Sequence, residues 1–318
     1  MKIVVLDGFT LNPGDNPWND LLPLGDVEVY ERTPADQVIE RAVDADILII
    51  NKIILSAAVL EQLPNLKFVA VTATGFNVVD IEAARARNIS VSNVPVYGTD
   101  SVAQFVFALL LQMCHNVALH EAAVKDGDWT RCPDFCFWNT PQIELAGKTL
   151  GIVGFGRIGR RTGEIGHAMG MNVIANDLYT DHPPDYSPFA WASLDEVFEQ
   201  SDAISLHAPL TPENTGLINQ ERLAQMKDSA FLINTARGPL VVEDDLATAL
   251  NDGAIAGAAL DVVMVEPMTA DNPLLTAKNC IITPHIAWAT LAARSRLMQT
   301  TVGNVRAFQA DASENVVN

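Results

Sequence analysis

The stretch Thr149-Leu150-Gly151-Ile152-Val153-Gly154-Phe155-Gly156-Arg157-Ile158-Gly159 decides the fold. An apolar run of strand length leads into three glycines spaced G-x-G-x-x-G, and the segment RIGRRTGEIGHAMG that follows has helical period. Each glycine has a distinct duty in a strand-to-helix turn of this kind. Gly154 makes the tight turn, Gly156 lets a pyrophosphate approach the backbone, and Gly159 lets helix and strand pack closely. The helix start, at Arg157 and Ile158, offers N–H groups and a partial positive charge to phosphates. Gly170 marks the helix end, and NVIAND forms the next strand, closing at Asp177. Asp177 stands 23 residues after Gly154 (177 − 154), the spacing of a carboxylate that binds adenosine ribose hydroxyls. Leu178 and Tyr179 follow, with no arginine to receive a 2′-phosphate, so the expected cofactor is NAD(H) rather than NADP(H). A glycine-rich turn in an α/β protein without a dinucleotide is the plainer alternative.

Outward from this loop, strand-length apolar runs alternate with helical segments along the chain. TLGIVGF, NVIAND, AISLHAP, AFLINTAR, IAGAALDVV and CIITPHI form one series of six. An earlier series comprises MKIVVLDG, VEVYER, ADILIIN, LKFVAVTA and ISVSNVP, with PADQVIERAV, SAAVLEQL and DIEAARARN between them as helices. Such alternation predicts parallel sheets covered by helices. The length of 318 residues suits about two domains. The expected division is 1–98 plus 287–318 for one domain and 99–286 for the other, since the final helical segment after Ala287 returns to the first. Between the two series, one long helix is expected from Ser101 to about Val124, N-capped by Thr99 or Asp100. Its stretch VAQFVFALLLQMC is apolar almost all round, which suits burial between domains or against a second subunit. The segment WTRCPDFCFWNTPQIEL has no clear period and holds two Trp and two Phe, and is read as an arm on a partner subunit, with an ordinary packed loop as the alternative.

Hydrophobic residues make up 49% of the chain and charged ones 19%, enough for a sizeable core. The net charge of −19 argues against nucleic acid and anionic membranes as partners, because both recruit clustered Lys and Arg. A small anionic substrate needs only one or two placed cations and stays open. No apolar run reaches the roughly 18 residues of a membrane span, and MKIVVLDGF reads as a buried strand rather than a leader. Cys114, Cys132, Cys136 and Cys280 include no CxxC pair, so the expectation is no metal site and free thiols in the cytoplasm.

Ligands of doubly wound sheets bind outside the carboxyl ends of the strands. AFLINTAR ends at Arg237, IAGAALDVV is followed by Glu266, and CIITPH ends at His285. One guanidinium, one carboxylate and one imidazole thus share the edge of the glycine loop. Arg237 can grip a substrate carboxylate through a fork of N–H bonds and polarise the neighbouring carbonyl. His285 can donate the proton that a developing alkoxide needs, and a carboxylate such as Glu266 beside it favours the protonated imidazole. Taken singly, a strand-capping arginine, a core histidine and a solvated glutamate are equally ordinary. In the first series the same rule points to Lys52, after ADILII, and to Thr74-Gly75, after LKFVAV. Gly75 permits close backbone approach, so N–H groups there suit the substrate carboxylate. Lys52 is a candidate second cation, with a solvated surface lysine as the alternative.

The chain resembles the D-isomer-specific 2-hydroxyacid dehydrogenases. ATGFNVVD, NVPVYGTDSVAQ, GKTLGIVGFGRIG, HAPLTPENTGLIN, FLINTARGPLV, ALDVVMVEP and TPHIAWAT stand in family order over nearly the whole chain. The resemblance implies a Rossmann NAD-binding domain inserted in a flavodoxin-like substrate domain, and a trio of Arg237, Glu266 and His285 with His285 as acid and base. It implies cofactor contacts from Thr74, Thr99, Arg157, Ile158, Asp177, Ala208 with Pro209, Thr235 with Ala236, Arg237, Asp261, and the segment His285 to Trp288 that includes Ala287. Substrate contacts would come from Thr74, Gly75, Arg237 and His285. A homodimer is implied, joined by the long helix and the arm. NVPVYGTDSVAQFVFALLL and HIAW are most similar to glycerate dehydrogenases, also called hydroxypyruvate reductases. Hydroxypyruvate, and glyoxylate more weakly, are therefore the expected small 2-oxo acid substrates.

The phosphoglycerate branch fits less well, because it often has an arginine where this chain has Val71-Thr72. Gln104 departs from the glutamate common in the family. NAD-sensing corepressors share the fold and a His-x-Ala-Trp segment, so a cofactor-sensing scaffold is the alternative of another class, alongside a ligand-binding module without turnover. NADH turnover with a 2-oxo acid separates them from an enzyme.

Overall fold

A computed structural model describes residues Met1–Asn318. The chain divides into two units, Met1–Gly98 with Ala289–Asn318, and Thr99–Trp288. The second crossing falls between Trp288 and Ala289, two residues later than the expected boundary at 287.

The first unit holds a five-stranded, wholly parallel sheet of β1 (Lys2–Val5), β2 (Asp26–Val29), β3 (Ile47–Ile50), β4 (Phe68–Val71) and β5 (Ser90–Ser92), in the order β2-β1-β3-β4-β5. This is the flavodoxin-like order, with its switch point between β1 and β3. Every residue of β3 and β4 is buried. Continuous apolar runs of that kind suit central strands covered on both faces. Each fully buried Ile or Leu contributes about 1.5–3 kcal/mol. One cover is the helix Leu291–Gln309, N-capped by Thr290, whose Phe308 stacks on Phe68 with ring centroids 4.5 Å apart.

The second unit is also parallel, with β6 (Thr149–Val153), β7 (Asn172–Asn176), β8 (Phe189–Trp191), β9 (Ala203–Leu206), β10 (Phe231–Asn234), β11 (Gly257–Leu260) and β12 (Cys280–Ile282). Their order is β12-β11-β10-β9-β6-β7-β8. Counted from β6, that is the six-stranded dinucleotide-binding order with β12 added at one edge. The six runs expected from sequence are all strands, but they omit β8, so the sheet has seven. β8 is only three residues long and nowhere fully buried, which leaves no periodic apolar signal.

The expected single helix from Ser101 to Val124 is two. Thr99–His115 and Val117–Lys125 meet at a 52° bend where Asn116 adopts a left-handed backbone (φ 46°). Asn tolerates that conformation better than most residues, so it breaks the run that apolar content alone would continue. The first helix starts at Thr99, so neither Thr99 nor Asp100 is its cap. Much of its apolar surface is covered within its own unit, against the helix Arg157–Ala168 and against β10 and β11. No single helix is long and apolar enough to cross a membrane. The aromatic segment opens with a short helix, Asp128–Arg131, and Trp129 Nε1 donates to the Phe135 carbonyl at 3.0 Å. Phe135 and Trp138 are 89% and 66% exposed on the isolated chain. All four cysteines are unpaired.

Candidate active site

The glycine loop connects β6 to the helix Arg157–Ala168, at the switch point between β6 and β9. Gly154 has φ +91°, and a Cβ there would stand 2.5 Å from the Ala208 backbone nitrogen. A Cβ on Gly159 would collide with the Gly154 carbonyl. A Cβ on Gly156 would instead meet only open space. That space lies over the helix start, where the N–H groups of Ile158 and Gly159 have no acceptor in the chain. Asp177 follows β7, half-buried, and accepts from Phe155 N at 2.5 Å and from Tyr179 N at 3.0 Å. Its carboxylate is therefore fixed beside the loop. Ala208 and Pro209 follow β9 on the same edge, and Thr235 and Ala236 follow β10. Thr235 Oγ1 is buried with no hydrogen-bond partner. Open space at a helix N-terminus, a fixed carboxylate one strand away and an orphaned hydroxyl on the same edge fit a dinucleotide.

Two further strand ends bring an imidazole and a carboxylate together. His285 Nδ1 lies 2.7 Å from Glu266 Oε2, and Val263 N donates to Glu266 Oε1 at 3.2 Å. With Nδ1 engaged, Nε2 is the ring nitrogen left for a substrate. About a third of each side chain is exposed. His285 adopts a left-handed backbone (φ 56°), uncommon for a residue other than glycine. Asp261, 1% exposed at the end of β11, over-determines that conformation. Its carbonyl accepts from His285 N at 2.8 Å, and its carboxylate accepts from Thr283 Oγ1 (2.6 Å), Ile286 N (2.9 Å) and Ala287 N (2.7 Å). Trp288 Nε1 donates to the His285 carbonyl at 2.9 Å.

Arg237 is exposed after β10. Asn234, fully buried as the last residue of that strand, shapes its turn by donating to the Arg237 carbonyl (2.9 Å) and accepting from Ala236 N (3.0 Å). A Cβ on Gly238 would strike the Val263 carbonyl, so the Arg237 turn abuts the loop that carries Glu266. Glu243 holds that loop from the other side, accepting from Met264 N and Asn272 Nδ2, each at 2.7 Å. Thr99 is the first residue of its helix in this unit.

Lys52, Thr74 and Gly75 belong to the first unit, on its own carboxyl edge, after β3 and β4. Lys52 is exposed, and Asp7 accepts from three successive backbone N–H groups around it, those of Asn51 (2.7 Å), Lys52 (2.6 Å) and Ile53 (3.2 Å). Burial pushes the Asp7 carboxyl above the usual carboxylate range despite those bonds.

The sequence reading missed Asn234, Glu243 and Asp7, and took Asp261 only as a cofactor contact. A polar residue closing an otherwise apolar strand, as Asn234 closes β10, was the available signal.

Residues 107–287 match the family model described as D-isomer specific 2-hydroxyacid dehydrogenase, NAD binding domain. The chain is 51% identical to a hydroxypyruvate reductase of Blautia hydrogenotrophica, with all of both chains covered. It is 40% identical to a glycerate dehydrogenase of Methylorubrum extorquens, over 99% of this chain and 98% of that one. Among solved structures it is similar to the D-lactate dehydrogenase of Aquifex aeolicus complexed with NAD and lactic acid. That match has a TM-score of 0.83 and 30% identity, covering 98% of this chain and 96% of that one.

Proposed function

The chain belongs to the D-isomer-specific 2-hydroxyacid dehydrogenases, and on that premise we propose that it reduces hydroxypyruvate to D-glycerate, and glyoxylate more weakly to glycolate. The enzyme is an NAD-dependent 2-hydroxyacid dehydrogenase. The observation that carries the chemistry is the 2.7 Å contact between His285 and Glu266 on the edge of the glycine loop. NADH bound on that loop supplies the hydride. Arg237 forks onto the substrate carboxylate and polarises the 2-oxo group. His285 gives the proton on Nε2 to the oxygen as it gains charge, and Glu266 steadies the imidazolium before the transfer. In the oxidative direction His285 takes the proton back. In the first unit, the loop of Thr74 and Gly75 and the nearby Lys52 offer donors that suit a carboxylate. Asp177 selects NADH over NADPH, because a carboxylate accepts from two ribose hydroxyls and repels a phosphate.

The protein acts as a cytoplasmic homodimer on a small acid, without nucleic acid or membrane. The exposed Phe135 and Trp138 on the aromatic arm support the dimer, since large apolar side chains bared on one segment are covered by association. The unpaired cysteines support the compartment. Ranking kcat/KM over hydroxypyruvate, glyoxylate and pyruvate with NADH tests the substrate. Light scattering tests the dimer, and a monomer at all workable concentrations refutes it.

A further inference from the structure

The four unpaired cysteines are of two kinds. Cys114 is fully buried on the helix Thr99–His115, and Cys280 opens β12. Burial pushes their thiols up to about 11 and about 12, which keeps both inert. Cys132 and Cys136 instead stand half-buried on the aromatic segment, outside every helix and strand. Nothing in the proposed reaction uses their sulfurs.

The chain brings these two thiols to one turn. Cys132 ends the helix Asp128–Arg131, its N–H donating to the Trp129 carbonyl at 3.2 Å. Pro133, Asp134 and Phe135 then bend the backbone, and Trp129 Nε1 closes the bend on the Phe135 carbonyl at 3.0 Å. Cys132 Sγ faces the Cys136 carbonyl at 3.8 Å. Bond lengths place a residue's own Cβ about 3 Å from its carbonyl oxygen, so the Cys136 side chain starts within a side chain's reach of Cys132 Sγ. Beyond Cys136, Asn139 N donates to His120 Nε2 at 3.0 Å, and His120 Nδ1 lies 2.9 Å from the Asn116 carbonyl. The segment is thus tied down before Cys132 and after Cys136, with the bend between them closed by the indole.

We propose that Cys132 and Cys136 form a reversible dithiol–disulfide site, oxidised by hydrogen peroxide and reopened by a dithiol reductant. One thiolate attacks a peroxide oxygen. An S–O bond forms, the O–O bond breaks, and the departing hydroxide leaves as water with that thiol's proton. The second sulfur then attacks the sulfenic sulfur. The S–S bond forms, the S–O bond breaks, and the second hydroxide leaves as water with the other thiol's proton. Two thiols and one peroxide give one disulfide and two waters, so the sulfurs lose the two electrons that the peroxide gains. A dithiol reductant reverses the bond by exchange and is itself oxidised to a disulfide.

The ring so closed is small and lies on an exposed segment, the setting of a labile disulfide rather than a structural one. Thiols at rest and a transient disulfide under oxidant are both compatible with a reducing compartment. The site stands independently of the substrate reading.

The native protein, loaded with NAD⁺, gives the decisive readout. It is treated with limiting hydrogen peroxide, unfolded in iodoacetamide and cut with trypsin. Cleavage after Arg131 and Lys148 yields one peptide that holds Cys132, Cys136 and no other cysteine. That peptide should be lighter by two hydrogens and unalkylated, while Cys114 and Cys280 are alkylated in full. Dithiothreitol before alkylation should return it to the doubly alkylated mass. Cys132→Ser and Cys136→Ser should each stop at the sulfenic acid, trapped by dimedone, because the resolving sulfur is gone.

Four results would overturn the site. They are full alkylation of Cys132 and Cys136 after peroxide, equal oxidation of Cys114 or Cys280, a disulfide that joins two chains, and a dimedone yield in the native protein equal to that in the serine variants.

Discussion

His285 Nδ1 and the Glu266 carboxylate lie 2.7 Å apart, although the residues are 19 positions apart in sequence and arrive on loops after different strands, β12 and β11. The contact assigns each partner a separate measurable effect. His285→Ala removes the proposed proton donor, so kcat should fall by a factor on the order of 10² to 10⁴ while NADH affinity, read by fluorescence titration, is largely kept. Glu266→Gln keeps the shape and removes the charge facing the ring, so its reductive kcat should also fall, by less than in His285→Ala. Near-native kcat in His285→Ala would show that another group is the acid.

Arg237→Ala should damage both kcat and KM, because the role proposed for its guanidinium is to grip the carboxylate and polarise the carbonyl. Arg237→Lys should restore only part of the loss, since an ammonium cannot form the forked contact. Steady-state kinetics with hydroxypyruvate read both. A lysine variant equal to the native enzyme would mean that Arg237 acts as a point charge only.

The Asp177 carboxylate is fixed by two backbone N–H groups, which favours a rigid ribose contact. Asp177→Ala should raise KM for NADH and narrow the preference over NADPH. Equal use of NADPH by the native enzyme would contradict the role given to this carboxylate.

The half-buried His207 makes stability depend on pH. Its imidazole, with Nε2 2.9 Å from Ser205 Oγ, is pushed down to about 3 from 6.5. Between those values the unfolded chain binds a proton that the folded chain refuses, so this contribution is intact above pH 6.5 and is lost as pH falls toward 3. At pH 5 the loss should be about 1–2 kcal/mol relative to pH 7. Urea melts of the native protein and His207→Gln at both pH values check it, with the smaller decline expected in the variant. Equal declines would remove His207 from the explanation.

The glycine loop and the apolar strands were legible because their physics is local. Gly154 and Gly159 need glycine for contacts within one turn, and β3 and β4 are continuous apolar runs. β8 escaped because Phe189–Trp191 is too short to show a period. The break at Asn116 escaped because the apolar run continues on both sides of it, and only the backbone conformation marks the bend. The trio could be placed at strand ends from sequence, but what holds it could not. Asp261 pins the His285 turn from the end of β11, and Glu243 holds the loop that carries Glu266. Such partners are set by which strands lie side by side, which no local spacing encodes.

Reduction of one substrate to one enantiomer is tested by following NADH oxidation with hydroxypyruvate and resolving the glycerate formed on a chiral column. Turnover should be rapid, with a kcat/KM above those for glyoxylate and pyruvate and D-glycerate as the product. L-glycerate, or efficient reduction of pyruvate with none of hydroxypyruvate, would contradict it.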